Sequence, residues 1–213
     1  MTEEGQSEAG PAKRGRPRKF DRDEVLGRLM VLFWAQGYED TSHADIRAAS
    51  GLSGSSLDRA FGTKLELFIT VLEHYHQATA PIVAPLADPS AGLAVIDGWL
   101  DIVDDALASE PSPSGCLVVS TITQPIAEDA RVAQRAQDYL GRLSDALRSV
   151  LEHAVALGEV PEDAVERRLA LLMGGYIGFL TAAGSPLGTS AARAMVAGLK
   201  ETIGLWMGVD DGA

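Results

Sequence analysis

The stretch from Ser42 to Lys64 constrains this chain most, because its spacing fits two short helices joined by a tight turn. Ser42 followed three residues later by Asp45 has capping-box spacing: the hydroxyl accepts from an early backbone N–H, and the carboxylate suits the positive end of the helix. Ile46 and Ala49 then face inward. Gly51 is free to take the left-handed conformation that stops a helix, Leu52 plugs the turn, and Ser53 caps a second helix whose inward residues are Leu57 and Phe61. Helices joined by so short a Gly-containing turn cross steeply. The second is left free to enter a major groove with its N-terminal end toward the base edges.

A net charge of −12 argues against a nucleic-acid partner until it is divided along the chain. Residues 1–64 carry ten Lys and Arg against ten Asp and Glu, so the whole surplus of negative charge lies in residues 65–213. Lys13, Arg14, Arg16, Arg18 and Lys19 put five positive charges into seven residues. Such an arm either reaches phosphates and the minor groove or is a solvated tail, and the helix start that follows it favours DNA contact. An acidic body behind it helps keep the protein off non-specific sites. The single cysteine, Cys116, cannot form an internal disulfide, and no export signal is seen, so the chain is expected in the cytoplasm. No Gly-rich phosphate loop, metal-ligand cluster or nucleophile motif occurs, so neither catalysis nor a cofactor or metal is expected. His74 and His76 stand two apart, point in different directions on a helix, and read as surface or interdomain residues.

Taken in order, the chain reads as all-α with about nine helices. Residues 1–19 form a disordered basic arm, 20–80 a helix-turn-helix head, and 81–213 a ligand-binding and dimerisation domain. Asp21 caps the first helix, with Glu24 three residues on and Phe20 and Val25 as a hydrophobic staple; Val25, Leu29, Leu32 and Phe33 carry it to about Gln36, where Gly37 supplies a stop. Thr63 and Glu66 repeat the capping-box spacing before a fourth helix built on Leu65, Phe68, Val71, Leu72 and Tyr75, predicted to end before Pro81. In the body, Ile96, Trp99, Val103 and Leu107 make one stripe of a fifth helix, while Asp97, Asp101, Asp104 and Asp105 gather opposite and read as solvated. The pattern at Gly115–Val119 fits helix or strand, and its helical surroundings favour helix. A long amphipathic helix is predicted over about 129–157. The next, about 163–183, has no charge from Leu169 onward and contains Gly174, Gly175 and Gly178. A helix apolar all round is buried all round. Interrupted at Gly184-Ser185-Pro186, it is too short to span a membrane, which takes about twenty apolar residues. It therefore reads as having the core on one side and a second subunit on the other. The last helix offers Ala192, Met195, Leu199, Ile203 and Trp206 as a matching face, giving a homodimer through the last two helices of each chain. Trp99, Cys116, Met173, Tyr176 and Phe179 are candidate pocket residues for a small-molecule effector, and the apolar neighbours of Cys116 argue against a reactive thiol.

From Gly15 to about Tyr75 the sequence resembles the TetR family of bacterial transcriptional repressors. The resemblance rests on Gly-Arg-Pro-Arg-Lys-Phe-Asp at 15–21, Phe33-Trp34 through Gly37-Tyr38, Thr41-Ser42 with Asp45-Ile46, Gly51-Leu52-Ser53, and Phe61-Gly62-Thr63-Lys64 before Leu67-Phe68. It implies phosphate or base contact for Thr41, Ser42, Ser53, Ser55, Ser56, Arg59 and Lys64, to which charge adds Arg14, Arg16, Arg18 and Lys19 of the arm. Two positions depart from the family pattern: Gly54 stands where many relatives are basic early in the reading helix, and Asp58 where a Tyr usually touches phosphate. Asp58 either pairs with Arg59, accepts from a cytosine amino group, or weakens binding. The resemblance implies a dimeric repressor that holds two reading helices about 34–36 Å apart on a palindromic double-stranded operator and leaves it when an effector binds. The alternative is a helical ligand-binding dimer with weak or lost DNA binding.

Overall fold

The computed structural model describes residues 20–109 and 115–208, and among these every regular element is helical. Nine α-helices follow one another: α1 Arg22–Asp40, α2 His43–Ser50, α3 Gly54–Phe61, α4 Lys64–Val83, α5 Leu93–Ala108, α6 Leu117–Thr121, α7 Ala130–Ala156, α8 Val165–Ala183 and α9 Gly188–Met207. Short 3₁₀ turns fill several of the connections. One hydrophobic core runs through both ends of the molecule, from Phe33 and Phe68 in the head to Trp99 and Phe179 in the body, all four fully buried.

The helix starts form where local chemistry places them. Asp21 accepts from the Asp23 and Glu24 N–H groups, while Ser42 with Asp45 and Thr63 with Glu66 both close complete capping boxes. Two helix ends differ from expectation. α1 does not stop at Gly37 but kinks there (φ 80°, ψ 173°) and continues to Asp40, because Gln124 from the segment after α6 fills the kink and its Oε1 accepts from the Tyr38 N–H at 3.1 Å. α4 passes through Pro81 to Val83, so the proline lies inside the last turn rather than beyond it. The seam expected at Pro81 is therefore bridged by a continuous helix that belongs to head and body together.

In the body α8 packs on α7 and α9, and α9 packs on α5. The α5 carboxylates are not merely solvated. Asp104 pairs bidentately with Arg193 of α9 at 2.6 and 2.8 Å, and Lys200 of α9 lies 3.4 Å from Asp97 and pairs with Asp101. These partly exposed pairs add register between α5 and α9 more than stability, about 0.2–1 kcal/mol each. Gly175 serves contact within the subunit, since a Cβ there would fall 2.5 Å from the Leu199 side chain. Of the face anticipated on α9, Ala192, Leu199 and Ile203 are buried in the subunit's own core and only Met195 is exposed. The exposed face runs through Leu171, Gly174 and Thr181 of α8 and Ala194, Met195, Gly198 and Leu205 of α9, with one charge, Glu201, among the last. Among the described residues, no helix is long and apolar enough to cross a membrane.

Candidate nucleic-acid interface

The reading element is assembled from both ends of its helices. Gly51 takes the left-handed conformation (φ 70°) that ends α2, and the Ser53 hydroxyl accepts from the Ser56 N–H to start α3. Leu57 and Phe61 are buried, which fixes α3 by one face and leaves Ser55, Asp58 and Arg59 on the other, exposed. Two arginines of α1 hold the opposite ends. Arg28 donates from Nε to the Ala49 carbonyl and from Nη2 to the Ser50 carbonyl, both at 3.0 Å, and also pairs with Glu24 at 2.6 Å. Arg22 donates to the Ala60 carbonyl at 3.0 Å, with its guanidinium 4.5 Å from the centre of the Phe61 ring. Both guanidiniums sit at helix C-termini, where unpaired carbonyls and the negative end of the dipole favour a cation.

The anticipated contact residues divide. Ser55 and Arg59 are exposed and Ser56 half-buried, all on or beside the free face of α3. Ser42 and Ser53 are exposed with hydroxyls already engaged: Ser42 Oγ donates to Asp45 Oδ2 at 2.5 Å, and Ser53 Oγ lies 2.9 Å from Ser56 Oγ. The Ser42 hydrogen bonds hold the Asp45 carboxyl below its ordinary range. Lys64 starts α4 with its ammonium 4.3 Å from the centre of the Tyr38 ring. Thr41 is placed differently from expectation. It is wholly buried and donates to the Gly37 carbonyl at 2.6 Å, so its hydroxyl closes the α1 kink instead of facing DNA. Arg14, Arg16, Arg18 and Lys19 lie outside the described residues. Arg47 was not anticipated: exposed on α2, it lies 4.0 Å from where a Gly54 Cβ would stand and brings a cation to the N-terminal end of α3, which has no basic residue of its own there. A lone arginine on an eight-residue helix carries no spacing signal. Among the described residues, none of the ion pairs involves Asp58, so of its three alternatives the pairing with Arg59 is not made.

Behind the reading element a cavity of about 260 Å³ opens between α4 and α7, lined among others by His76, Thr79, Val83, Tyr139, Arg142 and Tyr176. Tyr139 and Tyr176 meet in its wall, their hydroxyls 3.2 Å apart, and Cys116 Sγ lies 3.9 Å from the Tyr139 hydroxyl. Burial pushes the Tyr139 phenol up to about 12 and raises the Tyr176 phenol and Cys116 thiol, so all three are neutral near pH 7. His76 is driven the other way by burial and then by Arg142, which favours its neutral form. Of the five anticipated pocket residues only Tyr176 lines this cavity. Trp99 stacks on Tyr176 at 5.9 Å and Phe179 meets it edge-on at 5.5 Å, both as core. Met173 lines a separate surface hollow beside α7 with Ile122 and Leu140. Cys116 is buried at the start of α6, one hydrogen bond behind the wall. Sequence reasoning missed Tyr139 and His76 because one looks like an ordinary stripe residue and the other like surface.

Comparison with known proteins follows the same division. Residues 28–71 match the family model described as bacterial regulatory proteins, tetR family, and residues 93–195 match the tetracyclin repressor-like C-terminal domain. The HTH-type transcriptional repressor ComR of Escherichia coli (strain K12) is 32% identical over 151 residues, 70% of this chain and 71% of that protein. The HTH-type transcriptional regulator AcrR of Shigella flexneri is 25% identical over 166 residues, covering 73% and 74% of the two chains. Among solved structures, a cysteine mutant of the TetR family regulator CifR, complexed with 26-bp double-strand operator DNA, superposes with a TM-score of 0.76 at 28% identity, over 87% of this chain and 98% of that one.

Proposed function

This chain belongs to the TetR family of bacterial transcriptional regulators, and we propose that it acts as a dimeric repressor that a small molecule releases from a palindromic operator. The observation that carries this reading is the posture of α3: clamped by Leu57 and Phe61 on one face and by Arg22 at its end, it offers its N-terminal end with Ser55, Arg59 and the neighbouring Arg47 to a groove. The operator complex of the CifR mutant supports DNA as the partner. The mainly apolar strip on α8 and α9, with Leu171 46% and Leu205 69% exposed and Glu201 its one charge, supports pairing through these helices, since a large apolar patch calls for a cover. Two reading helices then stand about one DNA turn apart, and a ligand acts by preferring one separation over the other.

Gel-shift titration against DNA from its own promoter at two salt concentrations tests the reading. Tight binding that weakens steeply with salt is expected, and deletion of residues 1–19 flattens the slope because a chain without the arm neutralises fewer phosphates and releases fewer counterions. Leu171→Glu should yield a monomer by light scattering and abolish the shift. Absent or salt-insensitive binding to every fragment would instead favour a helical ligand-binding dimer that no longer reads DNA, a reading that Asp58 on the exposed face of α3 keeps in play.

A further inference from the structure

The cavity has an inner chamber that reaches the head. A second space of about 110 Å³ shares Thr79, Val83, Tyr139 and Tyr176 with the outer one and continues inward to Trp34 of α1. Two buried polar side-chain atoms among the described residues lack a hydrogen-bond partner, the indole Nε1 of Trp34 and that of Trp99, and only Trp34 lines a chamber. The other polar groups of the inner wall have partners: the Thr79 hydroxyl donates to the Tyr75 carbonyl at 3.0 Å, and the Tyr139 and Tyr176 hydroxyls engage each other. Among the described residues no carboxylate, lysine or arginine lines this chamber, and apart from these hydroxyls and that of Tyr75 its side chains are apolar. Arg142 and His76 line only the outer one.

From this arrangement we propose that the effector is a small, uncharged, mainly apolar molecule carrying one hydrogen-bond acceptor, such as a carbonyl, that seats in the inner chamber and is received by the Trp34 indole N–H. An indole N–H only donates, so the occupant supplies an acceptor. A charge would lose its hydration in a chamber that has no counter-ion among the described residues, which disfavours carboxylates and ammonium ions at the inner end. The residue that binds the acceptor belongs to the DNA-reading half. Trp34 lies three positions before the Gly37 kink and meets Tyr75 of α4 edge-on at 5.1 Å, so occupancy bears directly on α1, which holds α2 and α3 by Arg28 and Arg22. That occupancy alters operator affinity rests on the repressor reading above; the binding chemistry does not.

The test uses the full chain without DNA and three probes of matched shape: acetophenone, ethylbenzene and benzoate, titrated by ligand-observed NMR and by tryptophan fluorescence. Acetophenone should bind at least tenfold more tightly than either of the others. Trp34→Phe keeps an aromatic ring but removes the donor and part of the side chain's volume; it should abolish the preference for acetophenone over ethylbenzene while ethylbenzene still binds and the chain still melts cooperatively. Val83→Trp, which fills the shared wall, should abolish binding of all probes. A preference for benzoate, an acetophenone preference that survives Trp34→Phe, or binding of none of the probes overturns the proposal. Because operator binding is measured separately, a chain that binds acetophenone but no DNA defeats the repressor reading alone, and one that binds DNA but no probe defeats the inference alone.

Discussion

The head and the body solve the same problem, where to send polar groups in a helical protein, at different range. In the head every helix start has orphaned N–H groups met by side chains within three residues, as at Ser42–Asp45, Ser53–Ser56 and Thr63–Glu66. In the body the polar groups that matter pair across the fold: Tyr139 with Tyr176, 37 positions apart, and Asp104 with Arg193, 89 apart. Local capping makes the reading element rigid in itself, whereas the cavity exists only once α4, α7 and α8 have docked. A rigid head beside a body that adjusts to a ligand is what the proposed repressor would require.

The largest effect is expected where the two regions join. Gly37 occupies a backbone region open essentially to glycine, and a Cβ there would lie 2.8 Å from Gln124 Oε1. Gly37→Ala should cost at least about 2 kcal/mol by chemical denaturation, from backbone strain and displacement of the Gln124 side chain. Gly27→Ala in the same helix, with nothing within 4 Å of the new methyl, should instead be neutral or stabilise by up to about 1 kcal/mol. Equal costs at the two positions would show that the kink is an accident of α1 and not a joint between head and body.

Arg28 sharpens the comparison at a smaller scale. Arg28→Ala removes the fork that holds the Ala49 and Ser50 carbonyls and should destabilise by about 1–2 kcal/mol. Arg28→Lys should recover little of it, since an ammonium cannot bridge both carbonyls while also meeting Glu24. Operator affinity should fall in both, measured by titration at fixed salt. Tyr139→Phe, a change of one hydroxyl in the cavity, should leave affinity for DNA unaltered in the absence of effector. A fall in DNA affinity in Tyr139→Phe would mean that the separation between a rigid head and an adjustable body is not real.

The same difference in range explains what is legible in the sequence. The family is legible through the resemblance of residues 15–75, and the all-helical fold and the start of every head helix through spacing, because a cap and its target sit three residues apart and need no tertiary knowledge. Gly37 reads as a stop, since the Gln124 that stabilises the helix beyond it lies 86 positions away from Tyr38. Pro81 reads as a helix end for a similar reason: a lone proline is a breaker by default, and only tertiary packing carries α4 past it. Among pocket candidates, large apolar residues such as Trp99 and Phe179 belong to the core, while the cavity wall comes from residues at the edge of apolar stripes, Thr79, His76 and Tyr139. Which stripe-edge residues face a void and which face solvent is decided by helix docking, and docking leaves no mark in helical periodicity.

The smallest effect probes the cavity mouth through protons. Burial, then the positive charge of Arg142, lowers the His76 imidazole below its ordinary 6.5, with Arg135 adding to the shift and Asp138 and Glu73 opposing it. The folded protein therefore binds fewer protons at His76 than the unfolded chain does in mild acid. Stability from this site is complete above about pH 6.5 and declines as pH falls toward the lowered folded value. The group is half-buried and partly screened by solvent, so the decline is a small slope and not an unfolding transition. Comparing melting temperatures at pH 7.5 and 5.5, the native chain should lose slightly more than His76→Gln, in which carboxylates and the other histidines titrate unchanged and only this contribution is removed. If the two proteins lose the same amount, His76 faces bulk water and the adjustable region begins deeper in the body, at the Tyr139–Tyr176 pair.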